Sequence, residues 1–358
     1  MVKMIEQPPE EGGINIKVVG VGNAGGNIVS RIYEKIEGVS FVIFNTEKNA
    51  LKHAKGDVKI QIGEKTTHGM GAGKDPEKGK FAANEDKEKI ADILSNTNIV
   101  FLIAGLGGGT GTGSSPVIAK IAKDLGAIVI SLVTTPFEFE GEKRMEHAFK
   151  GLEILLHNVD TLIHIPNQKL YEIVDTTTSF TDAFGKVDEI IARTISSVSD
   201  LINKPKLLDI DFADICSVVQ NGGKGIVGIG YGEGENKMEE STRQILEDPL
   251  IEKSEMMEAK NILISITGGN DLTLLEIGET MKLIQSKISS SFRVLGVALD
   301  ENLKNVVKVT LLATGIGKKE EIKKIGKKRD EELPLVNEPE ETKNIDTPTI
   351  IRKKGEKL

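Results

Sequence analysis

The sequence predicts an α/β fold made of two domains that are joined by a long helix. Three observations support this prediction. Short apolar runs, several of them ending in glycine, alternate with helical patterns in the first half of the chain. Residues 182–204 carry apolar side chains at mainly helical spacing, and Pro205 stops the pattern. The length of 358 residues also exceeds what one ordinary core requires.

The first half of the chain contains short apolar strands separated by helices. We predict strands at residues 15–20, 40–44, 58–62, 98–104, 127–133 and 160–165. Helices are predicted at residues 27–33, 85–95 and 115–125. This alternation indicates a mostly parallel, Rossmann-like sheet with helices on both faces. Ligands of such sheets bind at the carboxyl ends of the strands, which is where the glycine-rich loops of this chain follow.

The second half begins with the long helix, whose apolar side chains form one strongly buried face. Strands are then predicted at 225–230, 261–267, 292–299 and 305–313, with helices at 237–246 and 272–288. This set is large enough to fold as a second, smaller α/β domain. After Gly317 the composition becomes mostly charged and polar, which predicts a disordered C-terminal tail.

Composition argues against several classes of protein. No apolar run reaches about 18 residues, and the N-terminus lacks the pattern of a signal peptide, so we expect no membrane insertion. The single cysteine, Cys216, cannot form a disulfide within the chain and fits a reducing cytoplasm. Five scattered histidines and one cysteine predict no metal site among the side chains. A net charge of −8 argues against nucleic acid as a partner.

The first glycine-rich loop, GVGNAG at residues 20–25, follows a predicted strand and precedes a helix. The pattern G-x-G-x-x-G in this context is typical of a dinucleotide site, in which phosphates lie at a helix N-terminus. Taken alone the motif is weak, because a tight turn from strand to helix has the same pattern.

The second loop, GLGGGTGTG at residues 105–113, is the more informative motif. Its glycines leave backbone N–H groups free to face one anion, and Thr110 and Thr112 add hydroxyl donors. A flexible turn would not need so many glycines, each of which costs folding entropy. The G-K-[ST] ending of a P-loop is absent. A third loop, GMGAG at 69–73, either contacts a terminal phosphate or is an ordinary solvent loop.

The segment GGGTGTGSSP at residues 107–116 resembles the signature loop of the tubulin/FtsZ family, and the resemblance to its FtsZ branch covers residues 15–316 in order. The further matching segments are VGVGNAGGN (19–27), FNTE (44–47), GAG (71–73), TTPFEFEGEKR (134–144), IPN (165–167), LLDIDFADI (207–215) and ITGGNDL (266–272). The resemblance implies a GTPase that binds GTP or GDP, with Mg²⁺ on the phosphates. It also implies a head-to-tail homopolymer that forms the cell-division ring at mid-cell, in the cytoplasm beneath the membrane.

The resemblance assigns residues to the nucleotide site. Asn27 and Asp188 would read guanine, and Phe184 would stack on the base. A carboxylate suits this role because it can accept hydrogen bonds from both N1–H and N2–H₂ of guanine. Glu140 and Arg144 would contact the ribose; without the resemblance they would be interpreted as a surface ion pair. The full expected set is Gly22, Asn23, Ala24, Gly25, Gly26, Asn27, Asn45, Gly71, Ala72, Gly73, Gly108, Gly109, Thr110, Gly111, Thr134, Pro136, Glu140, Arg144, Asn167, Phe184 and Asp188.

Asp211 and Asp214 are the expected catalytic residues. Their spacing of three would place them on one face at the start of a helix, where plain N-terminal capping is the alternative interpretation. The resemblance implies that this segment enters the nucleotide pocket of the next subunit and orients the attacking water. Hydrolysis would then depend on assembly, and such a head-to-tail contact builds open filaments.

Two segments of the chain depart from the family pattern. The family usually has Asn at the position of Asp209, and an added carboxylate beside a triphosphate predicts slower turnover or a stronger dependence on Mg²⁺. Many relatives have glycine at the positions of Asn23 and Ala24. Ala24 is small enough to be tolerated, whereas Asn23 can add a side-chain contact that the sequence does not specify.

The resemblance also implies the division of the chain and the role of its tail. Residues 344–354, NIDTPTIIRKK, resemble the family's C-terminal partner peptide, which would bind membrane-tethering and regulatory division proteins. The expected parts are a disordered arm (1–14), a GTP-binding domain (15–181), the central helix (182–204), the second domain (205–317), a charged linker (318–343) and the partner-binding peptide (344–358).

Two other functions compete with an assembling GTPase. A nicotinamide-dependent oxidoreductase could use the first loop, with Glu47 as the ribose acceptor. It would leave the second phosphate loop unexplained. A scaffold that binds nucleotide and scarcely hydrolyses it is the other alternative.

Overall fold

The computed structural model describes residues 13–203, 206–208, 211–248, 251, 253–288, 292–300 and 303–317. The predictions for most of the N-terminal arm, for Asp209 and for the segments 318–343 and 344–358 lie outside these residues.

Strands and helices alternate along the described chain. The strands are β1 (Ile16–Val21), β2 (Ser40–Asn45), β3 (Val58–Gln61), β4 (Ile99–Gly105), β5 (Ile128–Thr135), β6 (Thr161–Pro166), β7 (Lys206–Leu208), β8 (Gly223–Glu233), β9 (Asn261–Gly268), β10 (Phe292–Leu299) and β11 (Val306–Ile316). The helices are α1 (Gly22–Ile32), α2 (Lys48–His53), α3 (Glu64–Thr67), α4 (Pro76–Glu85), α5 (Lys87–Leu94), α6 (Thr110–Asp124), α7 (Glu142–Leu156), α8 (Phe180–Asn203), α9 (Phe212–Val219), α10 (Lys237–Leu246), α11 (Lys253–Glu258) and α12 (Leu274–Lys287). Short 3₁₀ turns lie at Glu138–Glu140 and Asn167–Glu172.

The described strands form one sheet in the order β3-β2-β1-β4-β5-β6-β8-β11-β9-β10-β7. All neighbouring pairs from β3 to β6 are parallel, whereas β11 runs antiparallel to both β8 and β9. The predicted fold class, α/β with a mostly parallel sheet and a second α/β domain, is confirmed. Crossover connections through helices leave the carboxyl ends of β1, β2, β4 and β5 on one edge, and the glycine-rich loops lie there.

The long helix α8 packs through the face that the sequence predicts. Val187, Ile191, Ile195 and Val198 are each at most 3% exposed. They share one core with side chains of both domains, for example Phe101 in β4, which is fully buried. Burying such a side chain stabilises the fold by about 1.5–3 kcal/mol.

Several features of the fold differ from the sequence prediction, among them β7 and the helices α2, α3, α4 and α11, which were not predicted. The two domains are linked by strand pairing as well as by α8, because Thr161 of β6 pairs with Gly223 of β8 and Ile163 pairs with Gly225. Helix α7 is absent from the predicted elements, although apolar residues recur there at helical spacing, for example Ala148, Leu152 and Leu155. The strongly charged start of α7 obscures this spacing.

Candidate nucleotide-binding site

Two helix N-termini meet at the carboxyl edge of the sheet. β1 and β4 are parallel neighbours in which Val21 pairs with Ala104, so both strands end at the same level. α1 begins directly after β1, at Gly22, and α6 begins shortly after β4, at Thr110. The N–H groups of a first helical turn lack partners within the helix, and the helix dipole is positive there. This edge therefore favours an anion such as phosphate.

Both helices begin earlier than predicted, at Gly22 instead of Asn27 and at Thr110 instead of Ser115. Glycine disfavours a helix by about 1 kcal/mol relative to alanine. Helix propensity alone therefore does not explain why α1 and α6 begin at these residues. Close packing decides them. A Cβ on Gly25 would lie 2.3 Å from the carbonyl oxygen of Ile103. A Cβ on Gly111 would lie 2.4 Å from that of Gly105, so these two glycines serve backbone packing.

Gly108 is the exception among the glycines of the second loop. A Cβ on Gly108 would meet no protein atom within 4 Å, and its φ lies outside the left-handed region. Gly109 contrasts with it, because a Cβ there would lie 2.7 Å from the Cβ of Ala72. Gly108 faces the cavity described below. Neither protein packing nor backbone conformation requires glycine at Gly108.

The segment after β2 connects the three loops. The hydroxyls of Thr46 and Thr110 are 2.6 Å apart and share a hydrogen bond. The carbonyl of Thr46 accepts the N–H of Gly71 at 3.4 Å, which ties the third loop to the same point. Gly71 has φ of +85°, a conformation that favours glycine. The hydroxyl of Thr112, expected to face the anion, accepts the N–H of Gly107 at 2.8 Å and braces the second loop instead.

A cavity of about 1430 Å³ opens over these loops and extends to α8. Most of the predicted nucleotide residues line it, namely Asn23, Ala24, Asn27, Asn45, Gly71, Ala72, Gly73, Gly108, Gly109, Thr110, Gly111, Thr134, Pro136, Glu140, Arg144, Asn167, Phe184 and Asp188. The other three, Gly22, Gly25 and Gly26, are buried and are not among its lining residues. The cavity is large enough for a nucleotide, since ligand pockets commonly measure about 300–1,000 Å³.

Two lining residues have the chemistry of a base or ribose pocket. Asn167 is 7% exposed, and its side-chain oxygen has no hydrogen-bond partner in the described structure. A buried polar atom of this kind is costly unless a ligand or water satisfies it. Phe184 is half-buried in an aromatic group at the cavity rim, with its ring centroid 4.8 Å from that of Phe180 and 5.9 Å from that of Phe137.

Arg31 is one of several charged residues that line the cavity without having been predicted from the sequence, and it contacts a predicted site residue directly. It lies on α1, one turn beyond Asn27, and forms a two-point ion pair with Asp188 of α8. Arg31 Nη2 lies 2.9 Å from Asp188 Oδ1, and Arg31 Nε contacts Oδ2. The spacing of four from Asn27 was the only sequence signal that could have suggested it.

The structure also identifies the contacts of Asn23, which the sequence left open. The Asn23 side-chain oxygen accepts the amide of Asn45 at 2.7 Å, and its amide nitrogen donates to Glu47 Oε2 at 2.8 Å. The N–H of Glu47 in turn donates to Asn45 Oδ1 at 3.1 Å. Asn23 thus joins the first loop to the segment after β2.

Glu140 and Arg144 form an ion pair, with 2.6 Å between Glu140 Oε2 and Arg144 Nη1. Their ion pair matches the interpretation made without the resemblance, yet both side chains also line the cavity. The expected catalytic pair lies elsewhere. Asp211 is exposed at the N-cap of α9, and the Asp214 carboxylate accepts its backbone N–H at 3.1 Å. Neither aspartate lines the cavity of its own chain.

Comparison with known proteins identifies the family. The model of the tubulin/FtsZ family GTPase domain matches residues 15–175, and that of the FtsZ family C-terminal domain matches residues 223–317. Over 304 residues the chain is 41% identical to the cell division protein FtsZ of Pseudomonas putida, covering 84% of this chain and 76% of that protein. The chain belongs to the FtsZ family. It is therefore a GTPase, and the oxidoreductase alternative is wrong.

Other relatives agree with this assignment. The FtsZ of Azotobacter vinelandii is 40% identical over 319 residues, which is 88% of this chain and 80% of that protein. A solved structure titled FtsZ dimer, empty, from M. jannaschii has a TM-score of 0.77 and 41% identity and covers 84% of this chain and 88% of the other. CetZ1 from Haloferax volcanii, at 23% identity and a TM-score of 0.76, covers 89% and 99% of the two chains and shows the shared fold alone.

Two features of the described residues bear on membranes and metals. None of the helices there is long and apolar enough to cross a membrane. Within the same residues, no group of three His, Cys, Asp or Glu side chains is placed to hold a metal ion. Mg²⁺ commonly keeps several waters and binds through substrate phosphates with one or two carboxylates.

Proposed function

We propose that the cavity binds GTP with its triphosphate on the first turns of α1 and α6 and its base between Phe184 and Asp188. The proposal rests on two features of the cavity that contacts within the protein do not account for. Gly108 has no packing reason to be glycine, and buried Asn167 has an unsatisfied side-chain oxygen in the same cavity. Mg²⁺ would neutralise charge on the phosphates, and the Glu47 carboxylate, which lies beside the third loop and lines the cavity, would assist in holding it.

We further infer that the chain polymerises head to tail and hydrolyses GTP between subunits. Phosphoryl transfer requires a group that orients the attacking water. Asp211 is exposed and lies outside the cavity of its own chain, so it is available to the cavity of a neighbour. The M. jannaschii relative, 41% identical, is a dimer by its title, which supports self-association.

The biological role we propose is that of the division ring at mid-cell, in the cytoplasm beneath the membrane. The curated relatives are cell division proteins by name. Residues 344–354 would connect the filament to membrane-tethering and regulatory division proteins. That segment lies outside the described residues, so its role rests on the sequence resemblance.

The test is GTP hydrolysis per subunit against protein concentration, with light scattering recorded in parallel. For the wild type we expect a rate that rises above a critical concentration together with scattering. Asp211→Ala should scatter light with GTP yet lose at least about 90% of the rate, because a positioned general acid or base typically contributes about 10²–10⁴-fold. Asp124→Ala, which removes an exposed carboxylate at the end of α6, is the matched control and should behave as the wild type.

Each other outcome has a definite meaning. A rate independent of concentration would show a site complete within one chain and would refute hydrolysis between subunits. Scattering without hydrolysis in the wild type would favour the non-hydrolysing scaffold. Hydrolysis untouched by Asp211→Ala would remove this residue from the mechanism.

A further inference from the structure

The ion pair between Arg31 and Asp188 lies where the base is expected. Asp188 is nearly inaccessible, with its side chain 3% exposed, whereas the Arg31 side chain is 46% exposed. Both residues line the nucleotide cavity. The contact uses both carboxylate oxygens, since Nη2 reaches Oδ1 at 2.9 Å and Nε reaches Oδ2. It is thus the two-point geometry in which a guanidinium matches a carboxylate.

A guanine edge needs the same face of the carboxylate. N1–H and N2–H₂ form a planar pair of donors, as Nε and Nη2 of arginine do, and each pair binds both oxygens side by side. One carboxylate presents one such face. The base and Arg31 therefore cannot both make their two-point contact with Asp188.

We propose that Arg31 takes the place of guanine on Asp188 in the nucleotide-free chain and leaves when the base binds. This inference rests on the assignment of Asp188 as the base-reading carboxylate. A buried carboxylate without a partner is costly, so Arg31 stabilises the empty pocket. The base then satisfies Asp188 with a donor pair of the same shape, and Arg31 moves out toward solvent.

The surroundings allow this movement. Arg31 lies on the exposed side of α1. Glu34, in the turn that follows α1, is 73% exposed and already pairs with Lys55 at 3.1 Å. Glu189, the neighbour of Asp188 on α8, pairs with Arg193, whereas Asp188 pairs with Arg31. Arg31 is thus a positioning residue that makes entry of the base a competition.

The test measures dissociation constants of GDP and of inorganic triphosphate for full-length, nucleotide-stripped protein. Arg31→Met should bind GDP roughly three- to thirtyfold more tightly, because a half-exposed, hydrogen-bonded ion pair no longer has to break. Inorganic triphosphate has no base to displace Arg31, so its affinity should stay within about twofold of the wild type. Arg31→Lys keeps the charge without the two-point geometry and should lie between.

Two further variants make the outcomes distinguishable. Arg193→Met removes the arginine that pairs with Glu189, the residue next to Asp188 on α8. This variant should leave GDP affinity unchanged. Asp188→Asn should weaken GDP binding; if it does not, Asp188 is not the guanine reader and the proposed site is wrong. If Asp188→Asn weakens binding but Arg31→Met also weakens it or has no effect, the site stands and the competition is refuted. Equal changes for GDP and triphosphate in Arg31→Met would indicate a merely structural role and would equally refute it.

Discussion

The substitution Gly108→Ala should affect GTP affinity without lowering the stability of the fold. The added methyl group would meet no protein atom within 4 Å, and φ at this residue is compatible with alanine. Alanine also restricts the unfolded chain, so the free energy of unfolding should stay the same or rise by up to about 1 kcal/mol. The methyl group would, however, occupy space beside the loop where the phosphates are proposed to lie. We expect GTP affinity to fall at least about tenfold, which corresponds to about 1.4 kcal/mol.

Gly111→Ala is the matched comparison three residues along the same loop. Its Cβ would lie 2.4 Å from the carbonyl oxygen of Gly105, so it should lower the free energy of unfolding by about 1–3 kcal/mol. Urea unfolding without nucleotide measures stability in both variants, and titration with a fluorescent GTP analogue measures binding. If Gly108→Ala binds GTP as tightly as the wild type, the phosphates do not lie against this loop. If it unfolds more easily by several kcal/mol, the packing argument is wrong instead.

Three further predictions concern pH, the first loop and the domain junction. His164 has its pKa lowered to about 3, from 6.5, mainly by burial and then by Lys224 and Lys169. As the pH falls, His164 therefore becomes protonated in the unfolded chain before it does in the folded chain. The contribution of this group to the free energy of unfolding is fully present above about pH 6.5 and is lost as the pH drops toward 3, by at most about 5 kcal/mol. Chemical denaturation across this range should show the loss in the wild type, and a flatter profile in His164→Gln. Asn23→Gly should speed GDP release a few-fold in a displacement assay, because it removes the contacts to Asn45 and Glu47; an unchanged rate would show that these bonds do not position the site. Asp160→Asn should reduce the free energy of unfolding by about 1–3 kcal/mol in urea, because buried Asp160 accepts the N–H of Val129 at 2.9 Å and pairs with Lys123 at 3.0 Å; a smaller change would mean that neighbouring groups replace these bonds.

Much of the fold was predictable because its signals are local. Most strands of the first domain are short apolar runs, and the helical spacing in α8 marks the face that is buried against both domains. Helix starts were predicted less well. α1 and α6 begin within the glycine-rich loops, where the close approach of other backbone to Gly25 and Gly111 and the positive φ of Gly22 make glycine suitable.

The residues assigned to the nucleotide remain predictions, but their convergence could be expected. They follow the carboxyl ends of parallel strands, and topology alone brings those ends to one edge. The pairwise contacts could not be expected in the same way. Arg31 and Asp188 are 157 residues apart, and nothing in either local pattern predicts that they meet.

The sequence by itself determined that this chain is an α/β protein with two glycine-rich loops after predicted strands, because apolar runs and glycine content are properties of neighbouring residues. Only the tertiary structure decided which glycines serve packing and which leaves room for a ligand. It also decided that Asn23 braces the first loop and that Arg31 covers the carboxylate expected to read the base. The physical reason is the same in each case: these properties depend on distances between segments remote in sequence, which are fixed only when the core brings the segments together.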